Sequence, residues 1–119
     1  MQRTEGLKGF EMGDVVYVDF SPTAGHEQNG NRPAMVVSEA TLFKETGMVW
    51  VVPITRSDSK FPTHFPIATK DGKIEGTVLP EHIKSIDPIA RKCKKVDEAT
   101  DEKIREWKKI HDAITFIAK

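Results

Sequence analysis

The sequence predicts a mainly β fold, a small and strongly curved sheet or barrel with one C-terminal helix packed on it. Three observations carry this. Short runs rich in valine, isoleucine and aromatic residues are punctuated by stretches containing glycine, proline and asparagine. From Thr100 onward the apolar spacing changes from two to three and four, the period of a helix. No repeat, linker or low-complexity segment divides the 119 residues, so a single domain over residues 1–119 is expected. At this length roughly two-thirds of the unfolded surface can be buried, so the core needs neither metal nor disulfide.

Taken in order, Gly13 to Phe20 (GDVVYVDF) alternates Val16, Val18 and Phe20 with Val15, Tyr17 and Asp19 and predicts a strand. Ser21 to Asn31 (SPTAGHEQNGN) carries Pro22, Gly25 and an Asn29-Gly30 pair and predicts a loop or long hairpin connection. A second strand is expected over Arg32 to Ser38, with Pro33 at its beginning where a missing N–H is tolerated. Met48 to Ile54 (MVWVVPI) is almost wholly apolar and suits a strand buried on both faces, with Pro53 implying an edge or bulge near its end. Thr55 to Pro62 is polar and loop-like. Thr63 to Ala68 and Thr77 to Leu79 predict shorter strands, with a turn at Lys70-Asp71-Gly72-Lys73 between them. Ile83 to Ile86 and Lys92 to Val96 are weaker strand signals. The helix follows, with Ile104, Trp107, Ile110 or His111, Ile114 and Ile117 on one stripe, Thr100 as cap, and Asp101 and Glu102 in the first turn.

Composition excludes several classes of protein. Hydrophobic residues at 38% and charged residues at 30% describe a globular chain rather than a disordered one. The longest apolar runs fall far short of the ~20 residues that span a bilayer, and no apolar segment of signal-peptide type follows the first charges, so a cytoplasmic address is expected. Cys93 is the one cysteine, which excludes an internal disulfide and fits a reducing compartment. His26, His64, His82 and His111 are too scattered for a zinc pattern, so no metal and no cofactor is expected. The formal net charge is zero, against bulk electrostatic coating of duplex DNA. Charge is nevertheless uneven. Residues 1–60 hold 6 basic and 8 acidic side chains and residues 61–119 hold 12 and 10, with four of the five residues from Arg91 to Lys95 basic. That run reads either as an anion-binding stripe or as an edge strand protected by lysines.

Polar groups concentrate in the first loop, where His26, Glu27, Gln28, Asn29, Asn31 and Arg32 fall within seven positions. Held between two apolar strands, such a loop brings an imidazole, a carboxylate and a guanidinium toward one substrate, or else it is a solvated hairpin tip. The string from Gly13 to Ser38, GDVVYVDFSPTAGHEQNGNRPAMVVS, resembles the signature of the MazF/PemK (Kid) family of toxin–antitoxin endoribonucleases: a GD strand, PxxGxEQxGxRP, then an apolar strand. Pro22, Gly25, Glu27, Gln28, Gly30, Arg32 and Pro33 are all present in spacing. The resemblance continues through Val51 to Thr55 (VVPIT), Phe61-Pro62, Gly76 to Leu79 (GTVL) and Ile83 to Asp87 (IKSID). It implies an SH3-like antiparallel β-barrel with a C-terminal α-helix, which agrees with the periodicity.

The resemblance also implies a chemistry: metal-independent cleavage of single-stranded RNA at short sequences, leaving a 2′,3′-cyclic phosphate and a 5′-hydroxyl. Such cleavage needs a base for the 2′-OH, an acid for the departing 5′-oxygen and a fixed donor set for the charge on phosphorus. Arg32 suits the last role, since its forked donors match two phosphoryl oxygens. Thr55, at the family's threonine after the third strand, donates to the same phosphate. Glu27 is either general base or the group that holds Arg32. His26 matches the Kid branch, in which a histidine at this place has a catalytic part, and is a base or a substrate contact. Kid also uses an Arg-x-Asp pair where this chain reads Leu79-Pro80-Glu81, a departure that favours the Arg32/Thr55 version. Gln28, Asn31, Arg56, Ser57 and Lys60 are expected to contact RNA.

The remaining aromatic and histidine residues read more simply. Trp50 and Trp107 suit core packing or a subunit contact better than base stacking, and His64 and His82 suit structural or solvated roles. The resemblance further implies a homodimer, a MazE-like antitoxin with an acidic segment as partner, and no membrane. The rival from another class is a gyrase-binding toxin of the CcdB kind, similar in fold and without nuclease activity; such chains lack the GxEQxGxRP block. A catalytically silent binding module is the third reading.

Overall fold

The computed structural model describes residues 9–20, 31–57 and 61–115. Seven strands form one antiparallel sheet: β1 (Asp14–Asp19), β2 (Asn31–Val36), β3 (Val49–Thr55), β4 (Phe65–Pro66), β5 (Thr77–Val78), β6 (Lys84–Ile86) and β7 (Lys94–Glu98). Helix α1 (Ala40–Thr46) links β2 to β3, a 3-10 turn (Pro80–His82) precedes β6, and helix α2 (Asp101–Thr115) ends the described chain. The spatial order is β4-β5-β3-β2-β1-β7, with β6 also paired to β3. Its two ends meet. Thr69 bridges Ala99, Lys70 N–H donates to the Glu98 carbonyl at 2.8 Å, and Thr100 N–H donates to the Ala68 carbonyl at 3.0 Å. The sheet is therefore rolled as the sequence predicts, with its seam held by one bridge and flanking hydrogen bonds instead of a full ladder. A register shift between Val15 and Val16 in the β1–β7 pairing adds the local twist that rolling requires.

Alternation along the strands feeds two apolar layers. Val15, Met35, Val52, Ile54 and Val78 point to one, joined by Phe65, Ile67, Ile74, Ala99 and Trp107 of α2. Val16, Val18, Ala34, Val36, Val49, Val51 and Ile86 point to the other, where Phe43 of α1 closes the layer. Double burial explains why β1 reads VVYV and β3 reads VWVVPI. Helix α1 is absent from the sequence expectations. Its seven residues are too few to establish a helical period, and the available signal is Gly47 after a Leu-Phe-Lys-Glu run. Gly47 takes φ 77° and donates its N–H to the Phe43 carbonyl at 2.8 Å, a left-handed ending that glycine adopts without strain.

Other differences follow from turns. The seventh strand begins at Lys94, not Lys92, because Lys92 has φ 54° and Cys93 N–H bonds the Pro88 carbonyl. The expected Thr63 to Ala68 strand shrinks to Phe65–Pro66. Pro53 is not at an edge: β3 is central, paired with β2 on one side. Its carbonyl accepts from Leu79 N–H, so the missing donor faces the gap where the partner changes from β6 to β5. Trp50 is 42% exposed, so β3 is not wholly buried, whereas Trp107 at 3% is core. Thr100 caps α2 as expected, its Oγ1 accepting from Lys103 N–H at 3.4 Å. Ile104 and Ile110 pack on the core, Ile114 is exposed, and Ile117 lies outside the described residues. Among the described residues no helix is long and apolar enough to cross a membrane.

Candidate nucleic-acid interface

A groove of about 770 Å³ runs across one end of the sheet. One wall is built from Asn31 and Arg32 at the start of β2 and Thr55, Arg56 and Ser57 at the end of β3. Tyr17, Pro33, Ile54 and Ile74 form an apolar floor, and Gly72 to Gly76 form the far wall. Five residues expected from the sequence thus come together although two strands separate them along the chain. His26, Glu27, Gln28 and Lys60 lie outside the described residues.

The pairing of β2 with β3 explains the meeting. The β2–β3 ladder reaches Ala34 opposite Pro53, and two residues beyond it on each strand Arg32 and Thr55 line the same groove. The Arg32 side chain is exposed and makes no hydrogen bond or ion pair with another described residue, while its backbone pairs with Val18 of β1. Thr55 is half-buried and its Oγ1 accepts from Ser57 N–H at 3.1 Å, which fixes the hydroxyl and turns the chain out of β3. Arg56 is exposed beside it.

The far wall is held from beneath. Asp97, 5% exposed, accepts from Asp71 N–H at 3.1 Å and Lys73 N–H at 3.0 Å, and from Glu98 N–H at 2.8 Å. Burial pushes its carboxyl up, but the backbone donors of Glu98, Lys73 and Asp71 outweigh burial and hold it at about 2. The sign of the linkage is set by that depression. The stabilisation is complete above the unfolded value near ~3.9 and is lost as pH falls toward the folded one. Asp97→Asn is therefore expected to flatten the acid loss of stability. Between about pH 5 and about pH 2 the denaturant midpoint of the wild type should drop further than that of the variant, and parallel profiles would refute the role.

The sequence expectations miss this wall. The turn at Lys70 to Lys73 is legible, but nothing local marks Lys73 or Glu75 as groove residues or Asp97 as their anchor, since the link spans 24 residues or more. At its other end Gly76 has φ +142°, and a Cβ there would lie 2.5 Å from the Thr55 carbonyl oxygen.

Other candidates lie elsewhere. Glu81 stands where Kid has its acid, yet it runs away from Thr55: Thr77 opposes Thr55, and Leu79 already bonds Pro53. The Glu81 carboxylate is engaged by His64 Nε2 and by Thr63 Oγ1, the latter at 2.8 Å. Burial pushes it up while the His64 and Thr63 hydrogen bonds bring it down to about 2. His64 is accordingly structural, and His82 is exposed. Glu81 borders a separate apolar hollow with Trp50, Pro80, Ile83, Trp107 and Ile114. The Arg91 to Lys95 run is not a free stripe. Lys95 Nζ pairs with Glu98 at 2.7 Å and Asp14 at 3.3 Å, and Arg91 donates to the Asp19 carbonyl. Among the described residues no three His, Cys, Asp or Glu side chains are grouped to hold a metal ion.

The family model of the PemK-like, MazF-like toxin of type II toxin–antitoxin systems matches residues 11–114, from before β1 almost to the end of α2. The chain belongs to this family. Among its PemK/MazF relatives, the endoribonuclease toxin ChpB of Escherichia coli is 38% identical over 102 residues, covering 82% of this chain and 86% of ChpB. Crystalline MazF from Deinococcus radiodurans superposes with a TM-score of 0.78 at 29% identity, over 92% of this chain and 99% of that one. A MazE–MazF complex from the same organism gives 0.78 at 26% identity, over 93% and 100%. The groove-forming elements β1, β2, β3 and β5 all fall inside the matched PemK/MazF segment.

Proposed function

We propose that this chain is a cytoplasmic endoribonuclease toxin that cuts single-stranded RNA in the groove between Arg32, Thr55 and the 72–76 wall. The single observation that carries this reading is that Arg32 and Thr55, brought to one end of the sheet by the β2–β3 pairing, line one groove with a polar rim over an apolar floor. The relatives named as endoribonucleases support it. In the reaction the 2′-oxygen of the target nucleotide attacks the adjacent phosphorus while the bond to the 5′-oxygen breaks. Products are a 2′,3′-cyclic phosphate and a 5′-hydroxyl. Arg32 offers two parallel N–H donors to the phosphoryl oxygens as charge builds on them, and Thr55 adds a hydroxyl donor from the facing strand. Glu27 or His26 takes the 2′-proton, and the departing 5′-oxygen takes its proton from solvent water to become the 5′-hydroxyl. A base-paired target is a poor substrate because its edges are hidden in the deep groove of an A-form helix.

In this reading no metal is required. The purified chain is expected to cleave a long single-stranded RNA in EDTA and to leave 5′-hydroxyl ends. Loss of activity in EDTA with recovery in magnesium, or 5′-phosphate ends, would refute the mechanism. A gyrase-binding toxin has no use for the Arg32/Thr55 rim, so RNA left intact under all conditions would favour that rival.

The MazE–MazF complex among the structural relatives supports an antitoxin partner. Its acidic segment would compete with RNA for Arg32, Arg56 and Lys73, so inhibition should weaken as salt rises. Trp50, Ile83 and Ile114, each more than a third exposed around one hollow, support a homodimer that covers them. Light scattering at micromolar concentration tests this, and a monomer there would count against it.

A further inference from the structure

We propose that Glu75 is a base-reading residue, selecting a nucleotide whose edge presents an exocyclic amine and rejecting uracil at that position. The inference rests on the RNA-cleaving reading of the groove. Its starting point is a charge that does not fit a surface built only to hold phosphates. Arg32, Arg56 and Lys73 line the groove as cations, and Glu75 lines it as a carboxylate. Its side chain is exposed and makes no hydrogen bond or ion pair with a described residue, so no cation among the described residues accounts for it. Facing a polyanion, an unpaired carboxylate repels the backbone and weakens binding. It becomes favourable only where the ligand brings donors to it.

Nucleobases bring such donors. Cytosine N4, adenine N6 and guanine N2 are amines, and in unstacked single strands they are open to a protein side chain. A carboxylate accepts only, so it pairs with an amine N–H and opposes the two carbonyl oxygens that flank the lone N–H of uracil. Rejection of uracil then comes from an unpaired, repelled carboxylate as much as from a lost contact.

The backbone gives Glu75 the required fixed position. Ile74 before it is buried in the core, and Gly76 after it lies against the Thr55 carbonyl while its own carbonyl accepts from Ile67 N–H at 2.9 Å. Asp97 ties the preceding residues through Asp71 and Lys73 N–H. Glu75 lines the same groove as Arg32 and Thr55 and precedes Gly76, which lies against the Thr55 carbonyl, so in this reading it meets RNA close to the scissile phosphate. The base it reads is therefore adjacent to the cut.

The test is cleavage of a randomised single-stranded RNA pool by the full chain, with sequencing of the new ends, for wild type, Glu75→Gln, Glu75→Ala and Glu75→Asp. Wild type is expected to disfavour uracil at one position next to the cut by about tenfold or more, the scale of one well-placed polar contact. Glu75→Gln and Glu75→Ala should bring uracil at that position to within a few-fold of the other bases and leave the remaining positions unchanged. Glu75→Asp should retain part of the selection. Wild type that cuts RNA while all three variants keep its base profile overturns the inference and leaves the proposed activity standing. Wild type that leaves the pool uncut overturns both.

Discussion

Arg32→Ala is expected to lower the RNA cleavage rate about a hundredfold to a thousandfold while leaving the fold intact, the range seen when one fixed transition-state donor is removed. The size follows from the position. Arg32 is exposed at the first turn of β2 and contributes nothing to either apolar layer, so truncation opens no cavity. Its forked donors share the groove with Thr55, and a lysine there would offer one point charge without the planar match to two oxygens. Arg32→Lys should accordingly recover only a small part of the rate. Single-turnover cleavage of a defined RNA, paired with thermal melting, separates catalysis from stability. A folded Arg32→Ala protein with near-normal turnover would remove the basis of the mechanism.

Gly76→Ala is expected to damage stability and activity together. Exposed glycines replaced by alanine ordinarily gain about 0.4–1 kcal/mol through the unfolded state when the backbone permits. Here it does not. At φ +142° a side chain is strained by about 1–3 kcal/mol, and the added Cβ would sit 2.5 Å from the Thr55 carbonyl oxygen and 2.9 Å from Ile54 Cγ2. Overpacking of this kind costs about 1–3 kcal/mol more. The obstacle on one side is backbone, so relief requires moving the end of β3 and with it the Thr55 hydroxyl. Denaturant unfolding and cleavage should both report the loss. A Gly76→Ala chain as stable as wild type, or stable and fully active, would mean that the 72–76 wall does not set the place of Thr55.

What could be read from the sequence divides along the range of the interactions. Strands β1, β2 and β3 were legible because alternation and continuous valine runs are local, and α2 because its stripe repeats over four turns. The groove rim was legible because family motifs mark Arg32 and Thr55 one by one. Its assembly was not, since the meeting of Arg32 and Thr55 in one groove depends on a strand pairing that no single segment encodes. The far wall was hidden for the same reason. Asp97 sits in a stretch that reads as surface, DEATDE, and its three backbone contacts appear only once β7 lies under the turn at residues 71–73. Trp50, which the sequence leaves between core packing and a subunit contact, is 42% exposed in the fold, where it pairs with Ser85 of β6.

The seam that closes the sheet gives the molecule an uneven thermal softness. Between β1, β2 and β3 the ladders are long and flanked by apolar layers on both sides, whereas the Thr69–Ala99 junction rests on one bridge and the amides of Lys70 and Thr100. Opening free energies are lowest where few buried contacts accompany the backbone bonds. Amide exchange at Lys70 and Thr100 would then outrun exchange in the central strands. Asp97 stands at this junction and grips the turn beside it, so a momentary parting of the seam releases the wall that carries Lys73 and Glu75 without unfolding the rest. The scissile rim and the reading wall belong to parts of the fold with different lifetimes, and an RNA spanning both would lengthen the shorter one.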